Sequence, residues 1–181
     1  MGAGAVLGIV MFAVFRGSFL TPLWETYVAF RTDTDHKTLL EVLSGFVLQS
    51  LLLWGVLALF GSSAVGTWLL HPAVLLKCAG SAALAAFFLT GFGTGGVGYY
   101  FLTVFPGKLL FYAALLMEYS TALTVSKRIR LALKGEGAFS PEDVRRYTAI
   151  IAVCGLLFLL GAVIDALTVT FFSGVFQLHL Y

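Results

Sequence analysis

Two long apolar runs separated by a glycine-packed stretch constrain this chain more than any other feature. Val65 to Phe92 carries one formal charge, Lys77, and Leu109 to Ser126 carries one, Glu118. Between them lies Gly91-Phe92-Gly93-Thr94-Gly95-Gly96-Val97-Gly98, followed by Pro106. Crossing a hydrocarbon core takes about 20 mostly apolar residues; the second run has about that length and the first is longer than one perpendicular helix needs. A charge at the centre of a spanning helix costs about 2.5–3.5 kcal/mol on insertion scales, so lone ionisable groups here are expected to find partners. Composition points the same way. The chain is 60% hydrophobic and 11% charged, with a mean hydropathy of +0.98, whereas a soluble domain carries about 25% charged residues to cover its surface.

The reading is therefore an all-α integral membrane protein, one membrane domain over 1–181, with about five spans. They fall at approximately 3–20, 42–60, 68–92, 108–126 and 147–172, with the glycine-rich break between the third and fourth. Gly4 and Gly8 form a small-xxx-small face on the first span, suited to close helix packing. Thr21 to Glu41 is a polar connection; its Asp33, Asp35 and His36 read as solvated loop rather than metal ligands. His71-Pro72 is expected to start the third span proper, because proline disfavours helical geometry in the residue before it, which leaves Val65 to Leu70 as an interfacial or re-entrant piece. Ser140-Pro141-Glu142-Asp143 reads as a helix start: an N-cap, a proline at the first helical position and acids in the first turn.

The stretch 127–146, read as a basic loop between the fourth and fifth spans, holds six basic residues against three acids. By the positive-inside rule it is cytoplasmic, which puts the N-terminus inside and the C-terminus outside after five spans. Cys78 and Cys154 lie in apolar segments and read as small buried hydrophobes. A net charge of +2, with no basic run interleaved with aromatics, gives no nucleic-acid groove.

The glycine stretch satisfies the letters of a dinucleotide fingerprint, Gly93 to Gly98, with Glu118 following. Its context refuses that reading, since the fingerprint needs a strand before it and a βαβ unit around it, and both flanks here are spanning runs. Gly91, Gly93, Gly95, Gly96, Gly98 and Pro106 instead mark a tight crossing or a broken helix, which lipid tolerates only where it packs on protein or lines a cavity. Lys77 and Glu118 sit about nine and eight residues from the cytoplasmic ends of their spans, roughly 12–14 Å deep, so an ion pair between them is expected. Asp165 then needs another partner, such as Tyr119, Thr168 or a second subunit. No HExxH or G-x-S-x-G motif accompanies these carboxylates. No catalytic residue, metal site or cofactor is assigned.

Several stretches together resemble the stage II sporulation protein M family: Lys77 to Thr90, the small-residue run ending in Phe105-Pro106, the apolar segment after it, Lys127-Arg128-Ile129-Arg130, and Val144-Arg145-Arg146-Tyr147-Thr148. The resemblance is clearest from about Gly66 onward and rests on order and spacing. One departure is Pro106-Gly107-Lys108, where many relatives outside the sporulation branch carry Pro-His-Gly followed by a glutamate. Family membership implies a five-span, non-enzymatic membrane scaffold of endospore formation. Such a scaffold anchors or recruits the peptidoglycan-degrading stage II sporulation proteins D and P for engulfment, here with a homodimer as the expected assembly. The competing expectation is a small oligomeric transporter or channel built on the Gly91–Gly98 break and Lys77, Glu118 and Asp165.

Overall fold

The computed structural model describes residues 2–15, 38–137 and 139–172, and among them every regular element is helical. In chain order these are α1 (Gly2–Phe15), α2 (Leu39–Gly61), α3 (Gly66–Gly91), α4 (Gly93–Tyr99), a π-helical turn (Tyr100–Val104), α5 (Phe105–Leu133) and α6 (Pro141–Phe172). Four stretches are long and apolar enough to cross a membrane: Leu39–Gly61, Gly66–Thr90, Gly93–Leu133 and Pro141–Phe172. A multi-pass helical membrane protein is consistent with this. The described part of α1 holds 14 residues, about 21 Å, and residues 16–20 of the first expected span lie outside the described residues. The Asp33, Asp35, His36 cluster and the C-terminal tail lie outside the described residues.

The four long helices run up and down around one apolar core. Leu57 of α2, Leu70 of α3, Phe111 and Leu115 of α5 and Phe158 of α6 meet there, and Phe111 and Phe158 contact edge to face at 4.9 Å. α2 and α6 are antiparallel: Val42 and Phe46 pack on Ala162, Ala166 and Val169 at one end. Toward the other end the Trp54 indole N–H donates to the Ile151 carbonyl at 3.0 Å and the Tyr147 hydroxyl to the Ala58 carbonyl at 2.9 Å. Gly155 faces the Trp54 ring, where an added Cβ would lie 3.1 Å away.

α1 is laid along α3 by the two glycines singled out in the sequence. A Cβ at Gly4 would come within 2.7 Å of the Cys78 Cβ, and one at Gly8 within 2.1 Å of the Ala79 carbonyl oxygen. Their order makes α1 run parallel to α3. Lipid provides no apolar driving force between helices, so such close backbone approach supplies the packing that holds them.

Two local expectations are corrected. Pro72 does not begin α3 but lies inside it, and the helix runs unbroken from Gly66; neighbouring helices make a missing backbone donor tolerable in a span. The polar stretch 127–146 is mostly helix. α5 continues to Leu133 and closes on Gly135, whose φ of +76° suits glycine, with Glu136 N–H on the Leu131 carbonyl and Gly135 N–H on that of Ala132. α6 then starts at Pro141, where Ser140 Oγ accepts from the Asp143 N–H at 3.3 Å and Asp143 Oδ2 accepts from the Ser140 N–H at 3.2 Å, the expected N-cap. Arg128 pairs with Asp143 across this turn, so the charged first turns of α6, ahead of its apolar run from Tyr147, are tied to α5.

At the glycine break, read from sequence as a tight crossing or a broken helix, the chain makes a reversal followed immediately by helix. Only Phe92 separates α3 from α4, and the reversal uses Gly93 at φ +56°. Gly95, Gly96 and Gly98 lie within α4. Pro106, the second residue of α5, has no N–H for the carbonyl four residues back. The π turn precedes it, and there the Phe105 N–H reaches back five residues to the Tyr100 carbonyl. Thr168 of α6 donates to the Thr103 carbonyl at 2.8 Å, satisfying backbone at this irregular point.

Candidate functional site

The ionisable residues of the spans do not gather as the sequence suggested. Facing residues of α3 and the returning chain fix the register. The Thr67 N–H donates to Ser126 Oγ at 2.9 Å, the His71 and Tyr119 rings meet edge to face at 5.7 Å, Lys77 Nζ lies 5.0 Å from the Phe111 ring centroid, and Phe88 stacks on Tyr99 at 5.3 Å. Between the ends of this ladder the returning chain advances faster than α3. Position 77 therefore lies opposite 111, and the level of Glu118 falls near Pro72.

Rotation separates the two charges further. Tyr119 faces α3, whereas Glu118 shares the buried face of α5 with Phe111, Leu115 and Ala122. Glu118 is fully buried and neither carboxylate oxygen has a hydrogen-bond partner among the described residues. The expected Lys77–Glu118 pair is not formed. Equal residue counts from the cytoplasmic ends implied equal depth only for arms of equal pitch and tilt.

Asp165 is buried near the opposite end, packed on Gly107. A Cβ at Gly107 would lie 2.1 Å from Asp165 Oδ1 and 2.8 Å from the Gly161 carbonyl oxygen. Thr168 donates to the Asp165 backbone carbonyl at 3.1 Å, and Tyr119 is elsewhere, against His71.

The glycine crossing is filled by aromatic rings. Phe87, Phe88, Phe92 and Tyr99 are buried together, with Tyr100 against them. Gly96 allows the reversal to close, since a Cβ there would lie 2.1 Å from the Phe88 carbonyl oxygen. Gly93 and Gly95 are exposed and meet nothing within 4 Å. Of the small residues in this stretch, Gly96 is required by contact and Gly93 by its backbone angle. Gly91 ends α3 and Gly98 lies half-buried on α4.

The polar feature that does assemble includes residues the sequence reading did not join. Gln49 of α2, Lys77, Gly80 and Ser81 of α3 and Lys108 of α5 line a cleft of about 170 Å³, with Leu76 and Leu84 on its walls. Lys108 is 9% exposed, and its Nζ lies 4.9 Å from the centroid of the same Phe111 ring that Lys77 approaches. The two ammoniums therefore lie no more than about 10 Å apart, which at an effective dielectric of about 20 is a repulsion of at least about 1.7 kcal/mol. The ring face offsets part of it, and the buried Asp165 carboxylate lies against Gly107, the residue next to Lys108. A signal for this site was present in the sequence: Gln49 is the one amide in an otherwise apolar run, and it is exposed on the outside of α2. Among the described residues no cluster of three or more His, Cys, Asp or Glu side chains could hold a metal ion. No family model, no curated protein and no solved structure matches the chain.

Proposed function

We propose that the chain is a non-enzymatic membrane scaffold that anchors or recruits extracytoplasmic peptidoglycan-degrading enzymes, the role its resemblance to stage II sporulation protein M implies. The observation that carries this over a transport role is the aromatic packing of the crossing. A broken helix that lined a pathway would leave polar backbone facing water, whereas here Phe88, Phe92 and Tyr99 close on the reversal and Gly96 is pressed against the Phe88 carbonyl. Glu118, shut into the apolar core, fits a static bundle too. With the basic end of α5 and α6 cytoplasmic, the parallel course of α1 and α3 agrees with a cytoplasmic N-terminus. The partners are cell-wall hydrolases of the stage II protein D and P type, and the assembly is a homodimer.

A small oligomeric transporter or channel is the second reading, favoured by the polar cleft of Gln49, Lys77 and Lys108. Crosslinking followed by purification from membranes separates the two. A scaffold brings down wall hydrolases and leaves liposomes tight when reconstituted alone. Solute flux through the reconstituted chain, with no hydrolase recovered, would reject the scaffold.

A further inference from the structure

We infer that the cleft between α5 and α6 at the basic end of the bundle is a binding site for the headgroup of an anionic phospholipid. The cleft encloses about 230 Å³ and is lined by Arg128 and Arg146 at the membrane boundary and by Thr124 and Ile150 one turn further in. Charge accounting at this end leaves cations over. Asp143, the acid that lines the cleft, is already tied to Arg128 and to the Ser140 N–H and hydroxyl. With that pair set aside, the stretch 127–146 still carries Lys127, Arg130, Lys134, Arg145 and Arg146 against Glu136 and Glu142. All five cations are exposed, and among the described residues none of them forms an ion pair. Arg146 is therefore the charge in the cleft that is open to an anion, and its planar fork matches the oxygens of a phosphate.

The helices hold these charges at the height of the headgroups. The apolar runs of α5 and α6 meet the boundary at Ser126 and Tyr147, and α5 continues from there to Leu133, about 10 Å by helical rise. The polar layer on each side of the hydrocarbon core is about 5–7 Å thick. Lys127, Arg130, Arg145 and Arg146 stand within that layer, and Lys134 lies beyond it. Juxtamembrane basic groups attract anionic lipid over that short range. Thr124 favours a lipid over an acidic protein surface. It is exposed on the outside of α5, about 6 Å from Arg128 toward the bilayer centre, where a phospholipid places its glycerol esters. Its hydroxyl donates to the Ser120 carbonyl of its own helix at 2.9 Å, a local bond that rotation exchanges for one to an ester carbonyl. An acidic peptide lying on the headgroups would reach the arginines but not this hydroxyl.

The test uses the full chain in phosphatidylcholine nanodiscs containing a minor fraction of phosphatidylglycerol, with native mass spectrometry after disc removal. Phosphatidylglycerol should be retained on the protein, enriched about fivefold or more over its share of the bilayer. Arg146→Gln should remove most of the enrichment and Thr124→Val part of it, while Arg146→Lys keeps some and Lys134→Gln changes it little. All four substitutions are at exposed positions and leave the Arg128–Asp143 tie between α5 and α6 in place. No enrichment in the unmodified chain overturns the inference. So does enrichment that Arg146→Gln and Thr124→Val leave unchanged, or that falls equally in Lys134→Gln, since that describes a diffuse field and not a site. A polyglutamate peptide that binds the discs through Arg146, with no lipid enriched, would assign the arginine to an acidic protein instead and also overturn it.

Discussion

The separation of Lys77 from Glu118 makes a sharp prediction for a double-mutant cycle. Breaking a buried ion pair by removing one partner costs about 3–5 kcal/mol, because the other charge is left uncompensated. Glu118 has no such partner to lose among the described residues: it is fully buried in the apolar core with Leu115 and Ala122, and neither oxygen accepts a hydrogen bond there. A buried polar group left unsatisfied costs about 1–3 kcal/mol, so replacing it by an apolar residue of similar volume should recover some of that. Glu118→Met is expected to raise stability by about 1–2 kcal/mol. Lys77→Met removes a cation over the Phe111 ring, a contact of about 0.5–2 kcal/mol. Being at different levels and on different faces, the two changes should add within about 0.5 kcal/mol. Reversible unfolding in mixed micelles, followed by far-ultraviolet circular dichroism, measures all four corners. A coupling energy above about 1.5 kcal/mol, or a loss of 3 kcal/mol or more in Glu118→Met, would refute the register derived from Thr67, His71 and Phe88.

Other expected outcomes follow from single contacts. Gly8→Leu forces a side chain against the Ala79 backbone and should detach α1, read as new proteolytic cleavage between α1 and α2 with the remaining helices still protected. Ser126→Ala removes the acceptor for the Thr67 N–H and the donor to the Ser63 carbonyl, two bonds joining α3 and the α2–α3 turn to α5; about 1–3 kcal/mol is lost in the same unfolding assay. Asp143 is held below the ordinary carboxylate range, first by the Ser140 backbone N–H and then by the Ser140 hydroxyl and the Arg128 guanidinium. Its folded-state affinity for protons is depressed, so its contribution is present above the unfolded carboxylate range and lost as pH falls through the lowered folded value. The melting difference between the native chain and Asp143→Asn should accordingly shrink on acidification below about pH 4, and a difference independent of pH would count against the cap.

Much of the fold was legible because lipid makes span positions a matter of run length. The Gly4/Gly8 face and the Ser140-Pro141 helix start were legible for a local reason: each depends on residues a few positions apart on one element. What failed depended on relations between elements. Pro72 looked like a boundary because its dipeptide preference is real, yet surrounding helices override it. The glycines looked like irregular chain because their number hides that Gly93 alone has a positive φ among those of the stretch. Lys77 and Glu118 looked paired because depth was counted along two helices as though they were parallel rods. Lys108 was passed over for the same reason, since its place beside Lys77 emerges only when α5 is aligned on α3 through Phe111.

The π turn at Tyr100–Val104 acts as a phase adjuster between two rigid segments. An α-helix rotates about 100° per residue, and a π turn accommodates one residue more than an α turn would. Deleting its surplus residue would let regular helix run through with Tyr99 and Lys108 nearly in their present phase, whereas straightening the turn with every residue kept would swing Tyr99 by about 100° relative to Lys108. The aromatic plug and the lysine cleft are thus set against each other by one surplus residue, and neither could be kept in place if the other were grafted onto a straight helix.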